Sequence, residues 1–92
     1  MSEATAIQAR ITGRVQGVSF RAWTQAQAQA RGLAGWVRNE PDGTVRAWIE
    51  GPRDMVRGML ATLHEGPPVA RVDRVDSTEA APEGFEGFEI RR

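Results

Sequence analysis

Residues 7 to 21, Ile7-Gln8-Ala9-Arg10-Ile11-Thr12-Gly13-Arg14-Val15-Gln16-Gly17-Val18-Ser19-Phe20-Arg21, change their periodicity part-way along, and that change decides the architecture. Ile7, Ala9 and Ile11 alternate with Gln8, Arg10 and Thr12, the two-residue period of a strand with one buried face. The alternation stops at Gly13. From Arg21 to about Arg31 the alanine and glutamine content favours helix, with Ala22, Ala26 and Ala30 on one face, Phe20 and Trp23 as anchors and Gly32 as the stop. A strand thus runs into a helix through a short loop with a glycine at each end.

Working outward, strand signals return at Ala34 to Asn39 and at Thr44 to Gly51. They are joined by Glu40-Pro41-Asp42-Gly43, in which proline presets the turn and glycine accepts positive φ, so the pair reads as a hairpin. After Gly51-Pro52, Met55, Val56, Met59, Leu60 and Leu63 fall on one helical stripe, which Gly66-Pro67-Pro68 ends. Val69 to Asp76 reads as a strand, but Val72 and Val75 differ in parity, which implies a bulge or an edge position. Phe88 and Ile90 alternate with Glu89 and Arg91 after a loop through Ala81-Pro82-Glu83-Gly84, suggesting a short last strand.

The order strand, helix, strand, strand, helix, strand, with one apolar stripe per helix, predicts an α+β, ferredoxin-like βαββαβ sandwich. The sheet is expected to be mainly antiparallel, with both helices on one face. Ile7, Ala9 and Ile11 should meet Val45, Ala47 and Ile49 mid-sheet under Trp23, Met59 and Leu63, leaving the opposite face wet. Trp36 and Trp48 read as packing residues. Residues 1–92 are expected to form one domain, with 1–5 as a flexible N-terminal extension.

Composition narrows the function classes. Twelve basic and twelve acidic residues cancel, which argues against a nucleic-acid or anionic-membrane partner and makes any anion site local. All the basic residues are arginine, whose planar fork suits oxyanions. The absence of cysteine removes disulfides and thiolate nucleophiles. No signal peptide or apolar span is evident, so a cytoplasmic protein is expected, and a monomer is the simplest state.

Function must come from the loop. Glycines at Gly13 and Gly17 let a short segment curl so that backbone N–H groups converge ahead of a helix N-terminus, and Arg21 can close over the concavity. On glycine spacing alone, a tight turn followed by a solvated arginine is the stronger reading. No Lys-Ser/Thr pair follows, so the loop is not a nucleotide P-loop, and a dinucleotide fingerprint would need a third glycine. Asn39 by itself reads equally well as a cap on the Pro-Asp-Gly turn. Ser19 has no neighbouring base to activate it, and His64 fits the end of the second helix as a mildly favourable cation.

Two ordered motifs add to these readings. Gly13-Arg14-Val15-Gln16-Gly17-Val18-Ser19-Phe20-Arg21 resembles the acylphosphatase signature, and Gly35-Trp36-Val37-Arg38-Asn39 with Pro41-Asp42-Gly43 resembles the second motif of that family. The likeness continues through Glu50-Gly51-Pro52, Gly66-Pro67-Pro68 and Phe88-Glu89-Ile90. The resemblance implies a hydrolase that splits acyl phosphates into a carboxylate and inorganic phosphate without metal or cofactor. Its only partner would be a small-molecule acyl phosphate. Arg21 would be the phosphate-binding catalytic arginine, Asn39 the residue that positions the attacking water, and Val15, Gln16, Gly17, Val18 and Ser19 the loop supplying amides. Two other readings are a non-catalytic phosphate or small-anion module and a carbamoyl-phosphate-handling domain. The missing aromatic RNA-binding signature and balanced charge argue against RNA, and the chain's shortness against the latter.

Overall fold

A computed structural model describes residues 3 to 92. Five strands and two helices follow one another as β1 (Ala4–Arg14), α1 (Phe20–Ala30), β2 (Ala34–Asn39), β3 (Val45–Pro52), α2 (Arg53–Glu65), β4 (Arg71–Ala80) and β5 (Phe88–Arg91). They make one sheet in the order β4-β1-β3-β2-β5, antiparallel except for the parallel pairing of β2 with β5. This is the ferredoxin-like arrangement with a fifth strand added beyond β2.

The central register matches the sequence reading, since Ile7 faces Ile49, Ala9 faces Ala47 and Ile11 faces Val45. Those six side chains join Phe20 and Ala28 of α1, Val56, Met59 and Leu63 of α2, Val37 of β2 and Phe88 of β5 in a single buried cluster, with Trp23 partly buried against it. Both helices therefore cover one face. Each large apolar side chain enclosed there contributes about 1.5–3 kcal/mol relative to exposure.

The α1 face is not the alanine face. Phe20, Thr24 and Ala28 are buried, whereas Ala22, Ala26 and Ala30 point to solvent. The Phe20 ring is the largest fully buried side chain, and enclosing it fixes the helix rotation. Thr24 tolerates the interior because its hydroxyl donates to the Phe20 carbonyl at 2.9 Å. The helix closes as a Schellman motif, with Gly32 N–H donating to Gln29 and Leu33 N–H donating to Ala28. In α2 the stripe narrows to Val56, Met59 and Leu63, and Met55 is 41% exposed.

Strand β4 runs to Ala80, further than the sequence pattern suggested, and lies at an edge of the sheet. Opposite Thr12 and Gly13 its register skips Asp73, and that bulge brings Val72 and Val75 to the core side despite their opposite parity. At the N-terminus, Ala4 and Thr5 pair with Pro52 and Gly51 and Thr5 is buried, so the expected extension does not reach residue 5. The Glu3 carbonyl accepts from the Arg53 N–H at 2.8 Å, and residues 1 and 2, the rest of that expected extension, lie outside the described residues.

The opposite sheet face is only partly wet. Ala6, Trp36 and Trp48 form a second buried cluster, against which Ala80 and Phe85 pack. The loop between β4 and β5 is held there by Glu50, which is 6% exposed. Its Oε1 accepts from Trp48 Nε1 at 2.8 Å and Glu83 N–H at 3.0 Å, and its Oε2 accepts from Gly84 N–H at 3.0 Å and Phe85 N–H at 3.2 Å. Burial pushes the Glu50 carboxyl up, but the four donors outweigh it and hold the group below its ordinary value of 4.5. A carboxylate on β3 thereby fixes the chain entering β5.

Candidate active site

The loop after β1 is anchored by two valines and strutted by a glutamine between them. Val15 is 1% exposed within the main core, and Val18 packs partly against the same cluster. Between them, the Gln16 side-chain amide donates to the carbonyls of Glu40 at 2.8 Å and Thr44 at 2.9 Å. These are the ends of the β2–β3 turn, which is itself closed by Glu40 N–H on Thr44 and by Asp42 Oδ1 accepting from the Thr44 amide and hydroxyl. Those Thr44 hydrogen bonds, with help from Arg10, keep the exposed Asp42 carboxyl below its ordinary value. Gln16 thus couples the loop to the hairpin whose first strand ends at Asn39.

Backbone handedness shapes the rest of the loop. Gly17 (φ 73°) and Ser19 (φ 60°, ψ 26°) are both left-handed, and Ser19 is the one non-glycine residue with positive φ among the described residues. Holding a serine there costs of order 1 kcal/mol. Ser19 occupies the N-cap position of α1, yet its side chain makes no cap hydrogen bond and the first turn carries no acid. Among the described residues, the backbone N–H groups of residues 16 to 22 find no acceptor within the protein, and the first such bond is Trp23 N–H to the Ser19 carbonyl at 3.1 Å. Unsatisfied amides at the positive end of a helix form a site for an anion.

A pocket of about 370 Å³ opens above these amides. Val15, Gly17, Ser19, Arg21 and Asn39 line it together with Phe20, Ala22 and Ile90. Arg21 is the one charged side chain on its wall. Its Nη1 makes a long, 3.4 Å contact with the Arg91 carbonyl of β5, and no carboxylate among the described residues pairs with it. Arg38 and Arg46, by contrast, both reach Glu40, at 3.0 and 3.3 Å. Asn39 Oδ1 is buried and has no hydrogen-bond partner, an arrangement that costs about 1–3 kcal/mol unless a molecule entering the pocket supplies a donor.

Five of the seven residues singled out from sequence thus meet at one pocket. The side chains of Gln16 and Val18 turn away from it, one as a strut and the other as core packing. Ile90 and Ala22 were not foreseen, because nothing local in the sequence places β5 alongside β2. His64 lies exposed at the end of α2, off the pocket wall. Among the described residues no group of three or more histidine or acidic side chains is placed to hold a metal ion.

The model of the acylphosphatase family matches residues 7–90. The chain belongs to the acylphosphatase family. It is 49% identical over 92 residues to an acylphosphatase of Natronomonas pharaonis, covering 100% of both chains. With an acylphosphatase of Salinibacter ruber it shares 51% over 87 residues, or 94% of this chain and 92% of the relative. The crystal structure of acylphosphatase from Bacillus subtilis superposes with a TM-score of 0.93 at 36% identity, covering 96% of this chain and 99% of that one. Acylphosphatases of matching length and fold therefore align with the whole of this sheet, its two helices and the loop between β1 and α1.

Proposed function

We propose that this chain, as one domain, is an acylphosphatase that hydrolyses the carboxyl–phosphate bond of acyl phosphates by attack of water on phosphorus. The observation that carries this reading is the gathering of Arg21, Asn39 and the loop with its open amides around one pocket, with Asn39 Oδ1 left without a partner in the protein. The phosphoryl oxygens sit on the loop amides of Val15 to Ser19 and on the Arg21 fork, which neutralise the charge spread over them in the transition state. A water donates one hydrogen to Asn39 Oδ1 and points its lone pair at phosphorus. As the new P–O bond forms, the P–O bond to the acyl group breaks and its electron pair leaves with the carboxylate. The water's proton passes to a phosphoryl oxygen.

A carboxylate is a weak base and departs without a protein acid, so positioning and electrostatics suffice. Neither a metal nor a cofactor enters this scheme, and its partner is a small acyl phosphate. No helix among the described residues is long and apolar enough to cross a membrane. With no heptad repeat or long apolar run in the sequence besides, we infer a monomer working in the cytoplasm.

The deciding experiment measures phosphate release from benzoyl phosphate by purified protein with excess chelator, wild type beside Arg21→Ala. Chelator-resistant turnover by wild type and its loss in the variant are expected. Folded wild type without turnover would refute the activity, and a fully active Arg21→Ala would remove the guanidinium from it.

A further inference from the structure

The pocket has a second half that the phosphoryl chemistry does not use. Its floor is Val15 and Phe20, each 1% exposed, and its polar side is Arg21, Asn39 and the loop. The remaining wall is Ala22, on the solvent side of α1, and Ile90, on β5. Ile90 is 40% exposed, one of three large apolar side chains left so open among the described residues.

Its position explains the exposure. Phe88 and Ile90 lie opposite Gly35 and Val37 of β2, and so project to the helix-covered side of the sheet. Phe88 is buried there beneath α1, where Gln25 Nε2 donates to its carbonyl at 3.0 Å. Helix α1 begins only at Phe20, and Ile90 is left uncovered at the pocket rim. An isolated surface isoleucine would need no explanation, but this one lines, together with Ala22, a pocket whose polar side carries Arg21, Asn39 and the loop.

We propose that Ile90 and Ala22 form an acyl-group subsite that selects acyl phosphates with an apolar acyl part, aromatic or branched aliphatic, over those with a second carboxylate. The inference rests on the acylphosphatase reading and names its substrate class. A phosphoryl group seated on the amides must send its acyl group outward, and the outward wall is hydrocarbon. About 370 Å³ lies at the low end of the usual range for small-molecule sites, roughly 300–1,000 Å³, so the phosphoryl group leaves room for a ring but not for a long chain. Arg21 is engaged by the phosphoryl oxygens, and the wall offers no other charge to a second carboxylate. Such a group would lose water without gaining a partner.

The test compares kcat/KM for benzoyl, acetyl and succinyl phosphate in wild type, Ile90→Ser and Ile90→Lys, with thermal melting of each protein. Wild type is expected to rank benzoyl above acetyl and acetyl above succinyl. Ile90→Ser should lower the benzoyl value about eightfold, the equivalent of roughly 50 Å² of lost apolar contact, and change the acetyl value less than twofold. Ile90→Lys should raise the succinyl-to-benzoyl ratio at least tenfold, which a mere loss of stability would not do. An unchanged benzoyl-to-acetyl ratio in a folded Ile90→Ser protein, or a wild type that favours succinyl phosphate, overturns the subsite while leaving the activity standing. A wild type inert toward all three substrates refutes the activity and the subsite together.

Discussion

Replacing Glu50 by glutamine should unlatch the loop before β5. The carboxylate accepts two hydrogen bonds on each oxygen, and three of the four donors are backbone N–H groups of the loop. Glutamine keeps one oxygen and puts an NH₂ against the other donor pair, so two charge-assisted bonds are lost in a site that is 6% exposed. At about 1.5–3 kcal/mol for each bond to a charged group, and with relaxation recovering part of it, the expected loss is about 3 kcal/mol. For a domain of this size that lowers Tm by roughly 12–24 °C. Urea unfolding of both proteins at neutral pH measures it directly. The pH dependence supplies a second signature, because the folded protein holds Glu50 below its ordinary 4.5. Its contribution is whole above that value and disappears as pH falls through the lowered folded-state value. The gap between wild type and Glu50→Gln should therefore close as the solution is acidified below about 4.5. A gap under ~1 kcal/mol at neutral pH, or one that is constant down to acid, refutes the latch.

Arg21→Lys should cost ~10³-fold or more in kcat/KM for benzoyl phosphate with little change in Tm, because a point charge cannot reproduce the planar fork. Steady-state kinetics beside a melting curve separate the two effects. Asn39→Ala should lower kcat more than it raises KM, and it should leave stability level or improved, since the unpartnered buried oxygen is removed. A rise in KM alone would mean that Asn39 binds substrate and does not orient water. Gly35→Ala should be among the most damaging changes to stability: an added Cβ would lie 1.8 Å from the Trp48 carbonyl oxygen at φ +136°, and a loss above ~3 kcal/mol in urea is expected.

The features legible in the sequence were those written in local periodicity or local turn chemistry. The β1–β3 register followed from two alternating triplets, Ile7, Ala9, Ile11 and Val45, Ala47, Ile49. The mismatched parity of Val72 and Val75 pointed to a bulge or an edge position, and β4 has both, with the bulge at Asp73. The loop and Asn39 were found because they carry recognisable motifs, and they do share a pocket. What escaped was set by contacts far apart in the chain. The rotation of α1 was decided by one Phe20 ring and not by the alanine spacing. The Gln16 strut spans 24 and 28 residues to the Glu40 and Thr44 carbonyls, and the Glu50 latch spans 33 to 35 residues. The Ile90 wall exists only because β5 pairs in parallel with β2.

The bare start of α1 has a consequence for anyone hardening the protein against heat. Routine stabilisation would install an aspartate at position 19, where no cap hydrogen bond forms and where an engaged cap is worth about 0.5–2 kcal/mol over an uncapped end. Here the new carboxylate would fold back onto the open loop nitrogens, where the proposed activity seats the phosphoryl group, and act as a tethered product mimic. The sturdier protein would be its own inhibitor. Reinforcement belongs instead at the opposite end of the helix, or along the outer edge of β4, where nothing has to be kept vacant for a guest.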